Sequence, residues 1–252
     1  MSVADSDLRL NLESVLARIG DAAARVGRPP GSVKLVAVTK TVPPERVEAA
    51  YELGARSFGE NRVQEARDKL SALASDPSCG AGLRERASAG PGRGDVRWHM
   101  VGHLQRNKVH LAINLFDVIE SVDSLTLAET INRLALNAGI VVPVLLQVNV
   151  SQEPSKHGFS VAELWSAFES VLGLPALNVR GLMTIAPIAP DPERVRPVFR
   201  ATRQLKDELE RRFPGASLPE LSMGMTDDFE VAIEEGATIV RIGRAIFGQR
   251  GV

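Results

Sequence analysis

The sequence predicts an α/β fold in one domain, a single (β/α)8 TIM barrel with an extra N-terminal helix. Three observations carry the prediction. Short, valine-rich apolar runs alternate with amphipathic helical patterns along the chain. Eight such strand–helix units fit within 252 residues, and alternation of this kind implies parallel pairing with right-handed crossovers. The glycine fingerprint that would follow the first strand of an open doubly wound sheet is missing.

The elements follow in order. A helical pattern over about 6–26 opens the chain. The run 34–39 is short, apolar and bounded by Pro43 and Pro44, so it reads as a buried first strand, with a helix over 44–53. The second unit is a strand at 55–59 and a helix at 62–73, where Asn61 with Gln64 three residues on resembles a capping box. The third is 97–101 with a short helix at 104–113, the fourth 116–121 with 124–138, and the fifth 143–150 with 161–171. The sixth is 179–184 with a long helix at 192–212. The seventh is 220–224 with a helix at 227–235, for which Asp227 and Glu230 look like an N-cap pair. The eighth strand, 238–243, leads into a short terminal helical turn. Residues 75–95 fit no unit. They are rich in Gly, Ser, Ala and Arg, a composition short of apolar area, and read as a mobile loop insertion.

Composition narrows the function classes. Hydrophobic residues are 44% and charged residues 24%, as in ordinary globular proteins, and 30 basic side chains meet 31 acidic ones for a net charge of −1. No overall field draws the chain to nucleic acid or to an anionic membrane, and no run of Lys and Arg is dense enough to do so locally. The single cysteine, Cys79, allows no intrachain disulfide, which fits a reducing compartment, and it reads as an incidental loop thiol. Met1 to Arg9 carry no apolar core of a signal peptide, and no apolar stretch reaches membrane-spanning length. A cytoplasmic protein is expected, with no membrane and no nucleic acid among its partners.

The chemistry of such a barrel sits at the carboxyl ends of the strands, with phosphate commonly bound after strands seven and eight. Lys40 ends the first strand on the same face as Val36 and Val38, so it points to the barrel mouth if they fill the interior. An amine whose pKa burial lowers can attack a carbonyl and form an imine. Ser222 after strand seven offers a hydroxyl donor. Gly224 and Gly243 let the backbone approach an anion, and the N–H groups of Gly243, Arg244 and Ala245 can open a helical turn toward it. Arg241 shares a face with Gly243 and lies beneath it, needing either a carboxylate or a ligand acceptor. His99 and His103 are too badly spaced for a metal site and read as core or supporting residues.

Taken together these residues resemble a known family. Val38-Thr39-Lys40, Phe58-Gly59-Glu60-Asn61 with Val63-Gln64-Glu65, and Trp98-His99 with Gly102-His103-Leu104-Gln105 and Asn107-Lys108 are similar to its motifs. So are Gly181-Leu182-Met183-Thr184, Ser222-Met223-Gly224-Met225 with Asp228, and Val240-Arg241-Ile242-Gly243 with Ala245-Ile246-Phe247-Gly248. The chain resembles the pyridoxal phosphate homeostasis (YggS/PROSC) proteins from about residue 8 to residue 248.

The resemblance implies a fold-type III barrel of the alanine racemase N-terminal kind, with pyridoxal 5′-phosphate as an internal aldimine on Lys40. It implies phosphate contacts from Ser222, Gly243 and the backbone of Arg244, with Gly224 beside them. Arg241 would face the pyridine nitrogen, and Asn61 and Met183 would also belong to the cofactor site. Lys156 matches a second family lysine near the site. Arg244 stands where the family often has Thr or Ser, so a hydroxyl donor is lost. The resemblance also implies a protein that binds the cofactor and supplies it to others, pyridoxal phosphate-dependent apo-enzymes among its partners, as a monomer or a homodimer.

A weak pyridoxal phosphate-dependent amino-acid racemase is the alternative, and a cofactor-free Schiff-base aldolase a third. A guanidinium does not protonate the ring nitrogen, which weakens the electron sink. Racemases of this fold also use a tyrosine from a second domain, whereas the only tyrosine here is Tyr51, on the first barrel helix. The binding role is therefore favoured.

Overall fold

A computed structural model describes residues 3–29, 31–153 and 156–248. Eight parallel strands close in sequential order: β1 (Lys34–Val38), β2 (Ser57–Glu60), β3 (Arg97–Met100), β4 (Val118–Val122), β5 (Val142–Gln147), β6 (Leu177–Met183), β7 (Glu220–Ser222) and β8 (Ile239–Ile242). The ring is sealed by β1 against β8, in a register that sets Val36 opposite Arg241 and Ala37 opposite Ile242. The helices are α1 (Val3–Arg25), α2 (Pro44–Glu52), α3 (Val63–Ser75), α4 (Ala81–Ala89), α5 (Val109–Leu115), α6 (Leu125–Ala138), α7 (Val161–Leu172), α8 (Arg196–Arg212), α9 (Phe229–Glu234) and α10 (Arg244–Phe247).

Strand parity divides the interior in two. Side chains turned outward join the helices in one continuous apolar layer that includes Ala37, Phe58, Trp98, Ile119 and Val240. Inside the ring, Val36, Leu145, Met183 and Ile239 form a separate small plug. Ser124 caps α6 by accepting from Leu127 N–H at 3.3 Å, Gly139 ends that helix at φ 67°, and Ser160 with Glu163 forms a full capping box on α7. The extra helix α1 buries a stripe of Leu8, Leu12, Val15 and Ile19. Arg18 and Arg25 pair with Glu230 and Glu234 of α9, and Asn11 Nδ2 donates to Ile246 O of α10 at 3.2 Å.

Three local expectations need correction. Residues 75–95 are not merely a loop, because they contain α4. Its Leu83 is fully buried, and its buried Arg86 donates Nε and Nη2 to one Asp117 oxygen at 2.9 and 2.8 Å and Nη2 to Leu115 O at 2.6 Å. Asp117 also accepts the Trp98 and Gly92 N–H groups, so one buried carboxylate ties the insertion to the barrel wall. Asn61 makes no capping box, since α3 starts at Val63 behind Arg62 without a side-chain cap. Asp228, not Asp227, is the residue before α9, and its Oδ1 takes the Met225 N–H at 2.6 Å.

Candidate functional site

Lys40 lies two residues past β1, half-buried in the turn that leaves the barrel. The chain around it is held from beneath. Thr39 is fully buried, and its hydroxyl donates to Glu60 Oε1 at 2.6 Å. Lys69 reaches up from α3 to donate to Thr39 O at 2.6 Å and to Glu60 Oε1 at 2.5 Å. Burial pushes the Glu60 carboxyl above its ordinary range against the opposing pull of Lys69. Thr41 then adopts φ 62°, a left-handed conformation that a β-branched residue rarely takes, with its N–H donated to Glu65 of α3. The backbone on both sides of Lys40 is thus fixed by side chains of β2 and α3. A groove of about 650 Å³ opens beside this turn, lined in part by Thr41, Pro43, Arg62 and Glu65.

Arg241 sits on β8, 4% exposed and turned into the ring. Its Nη1 donates to Ser222 Oγ at 2.6 Å and its Nη2 to Thr184 O at 2.8 Å. Ser222 Oγ in turn donates a hydrogen bond to Glu120 Oε2 at 2.6 Å, and the other Glu120 oxygen meets His99 Nδ1 at 2.6 Å. The chain Arg241–Ser222–Glu120–His99 therefore crosses the barrel from β8 through β7 and β4 to β3. Desolvation acts to raise the Glu120 carboxyl, but His99, Arg241 and Ser222 together hold it below its ordinary range. Burial lowers the Arg241 guanidinium, opposed by Glu120 and Asp228.

The β8 turn lies against the base of the Lys40 segment. A Cβ on Gly243 would sit 3.0 Å from Val38 O, so glycine lets β8 leave the ring in contact with β1. Gly243 then precedes α10, whose first N–H groups have no partner within the helix. Gly224 also has a packing role of its own. At φ 95° a Cβ there would lie 2.6 Å from Ala232 Cβ and 2.9 Å from Phe229 Cα, so it seats α9. Arg244 points to the rim, where the exposed Asp227 takes its Nη2.

The remaining sequence-derived residues are spread over the same end of the barrel. Met183 is buried in the inner plug with Val36. Asn61 is half-buried, and its backbone is pressed by Gly102, where a Cβ would come within 2.3 Å of Asn61 O. Lys156 is anchored at 3.1 Å by Glu153 Oε2 and at 3.4 Å by Ile185 O. The structure adds a partner that the sequence did not show for Ser222, whose hydroxyl donates to Glu120. It also adds Glu120, Thr39 and Lys69, whose roles were not seen. A carboxylate inside the apolar run Val118–Val122 was the signal available for Glu120. Spacing along the chain argued against clustered histidines, yet folding stacks His103 on His157 with ring centroids 3.8 Å apart.

Comparison with known proteins places this geometry among relatives. Residues 10–251 match the family model described as alanine racemase, N-terminal domain. A pyridoxal phosphate homeostasis protein of Aquifex aeolicus is 45% identical over 239 residues, covering 95% of this chain and 96% of the relative. The solved structure of PipY from Synechococcus elongatus with pyridoxal phosphate bound is similar at 38% identity and a TM-score of 0.76, over 91% of this chain and all of that one. An alanine racemase of Clostridium difficile, at 14% identity, a TM-score of 0.72 and 98% coverage of this chain against 60% of its own, is similar in fold alone.

Proposed function

The chain belongs to the pyridoxal phosphate homeostasis protein family, and from that premise we propose that it binds pyridoxal 5′-phosphate through a Schiff base on Lys40 and supplies it to other proteins. The observation that carries this reading is the seam between β1 and β8. Val36 pairs with Arg241 in register, and Gly243 packs on Val38, so the Lys40 turn and the Gly243–Arg244 turn leave the ring side by side above a buried guanidinium.

The donor set suits the cofactor. Arg241 offers only donors, and its bonds to Ser222 and Thr184 leave further N–H groups for an unprotonated ring nitrogen. The backbone N–H groups that open α10 suit a phosphate, with Ser222 and Gly224 behind them. When bound, the cofactor would supply an electrophilic aldehyde carbon, and Lys40 would supply the amine that holds it as an imine. Glu60 and Lys69 hold the peptide before that amine, Glu120 neutralises the positive charge at the floor, and Asn61, Met183 and Arg244 complete the surroundings.

Binding rather than turnover is favoured by the position of Tyr51. It lies on α2 in the helix layer, under the Arg56 guanidinium at 4.4 Å and beside Gly80 and Gly82. It is thus remote in the fold from the ring interior that holds Arg241. No helix among the described residues is long and apolar enough to cross a membrane.

Titrating the purified protein with pyridoxal phosphate and following its absorbance tests the reading. Lys40→Ala is expected to abolish the protonated Schiff-base band and the borohydride-reducible adduct, while weak cofactor binding survives through the phosphate contacts. A reducible adduct at full occupancy in Lys40→Ala would overturn the assignment of the amine. Transfer of the bound cofactor to an apo-enzyme tests the supplying role.

A further inference from the structure

We propose that His103, Asp123 and His157 form a binding site for one divalent transition-metal ion of the zinc class. The proposal is independent of the cofactor reading, because none of these residues is used by it. The three stand on three different connections at the mouth of the barrel. His103 follows β3, Asp123 follows β4, and His157 lies between β5 and α7.

One ligand atom from each lies within 4.8 Å of the other two. His103 Nδ1 is 2.8 Å from Asp123 Oδ2, and His157 Nδ1 is 3.9 Å from the same oxygen. A tetrahedral zinc ion with bonds of about 2.0–2.1 Å holds its ligand atoms about 3.3 Å apart, and these two separations bracket that value. The rings now stack at 11° to one another. Metal entry therefore requires one ring to turn its lone pair inward, and the His157 side chain, 58% exposed, has room to turn.

Each of the three positions is independently braced, which is what a binding site needs beforehand. Gly102 is packed on the Asn61 backbone immediately before His103. The second Asp123 oxygen accepts Ser124 Oγ at 3.3 Å, while the Asp123 side chain is only 11% exposed. His157 O accepts Gln147 Nε2 at 2.9 Å, and the Phe159 N–H donates to Gln147 O at 2.8 Å. Two imidazoles and one carboxylate leave a fourth position open to solvent. This set suits zinc, cobalt or nickel in preference to magnesium or calcium, which take oxygen ligands. A bound ion would tie the segment carrying Lys156 to the ends of β3 and β4.

The test uses the full, untagged protein, stripped with a chelator and dialysed. Zinc is titrated calorimetrically and cobalt by visible absorbance, with magnesium as the contrasting probe. One zinc per chain is expected, with a tetrahedral cobalt spectrum and no comparable response to magnesium. His103→Ala, Asp123→Asn and His157→Ala should each weaken zinc by about tenfold or more. His110→Ala, at an exposed position on α5, should leave it unchanged. Cys79 is buried with its thiol pushed up to about 11, so it does not compete. Circular dichroism of the variants checks folding, and the exposed His157 position keeps the test clear of core damage. Absence of stoichiometric zinc binding by the parent, or equal affinity in folded His157→Ala, would overturn the site.

Discussion

Replacing Glu120 by glutamine keeps the side chain's shape and removes its charge, leaving Arg241 in the ring with Asp228 as a remaining counter-charge. Removing one partner of a buried charge pair costs about 3–5 kcal/mol. Glutamine still accepts one hydrogen bond, from Ser222 or His99, which places the expectation near the lower end, about 3 kcal/mol. For a chain of this size each kcal/mol moves the melting temperature by about 2–4 °C, so Glu120→Gln should melt roughly 6–12 °C below the parent at pH 7. The gap should depend on pH in a definite direction. Glu120 has a folded pKa below its ordinary value of 4.5. Its contribution is therefore complete above 4.5 and is lost as pH falls through the lower folded value. Thermal unfolding followed by circular dichroism from pH 7 downward should show the two curves converging on the acid side. A variant that melts with the parent at pH 7, or a gap that stays constant with pH, refutes the charge role given to Glu120.

Other expectations are as concrete. Gly224→Ala places a Cβ 2.6 Å from Ala232 at φ 95°, and the left-handed backbone and overpacking together should cost about 2–4 kcal/mol in chemical denaturation. Leu83→Ala empties a fully buried position in α4, with a loss of about 2–5 kcal/mol and faster hydrogen exchange over 81–89; an unchanged stability would return that segment to the status of a loop. Cys79, at 4% exposure and with a thiol pushed up to about 11, should resist thiol reagents at pH 8 in the native state and react at once when urea unfolds the chain.

How much of this was readable in the amino-acid order depends on the range of the interactions. The eight strands were legible because period-two burial and valine-rich runs are local, and the Lys40, Arg241 and Gly243 positions followed from parity on neighbouring strands. The α4 segment was missed because its order comes from Leu83 and from an Arg86–Asp117 pair that spans 31 positions, while its composition argued for a loop. The Ser222–Glu120 hydrogen bond was hidden because the two residues lie 102 positions apart. The His103–His157 stack was invisible for the same reason, since linear spacing says nothing about which strand ends face one another across a ring. Lys69 was hidden differently, as one more basic residue in an ordinary amphipathic helix, until Glu60 and Thr39 showed where it points.

The seam between β1 and β8 has a consequence for how the chain is made. The first strand finds its second neighbour only after residues 239–242 have left the ribosome. The Leu8–Ile19 stripe of α1 waits equally long for α9 and α10. Until then those apolar surfaces stand only partly covered beside an open sheet edge, the state in which chains associate wrongly. Nascent fragments lacking β8 should bind chaperones and aggregate readily, and emergence of residues 239–242 should convert them to a protease-resistant form.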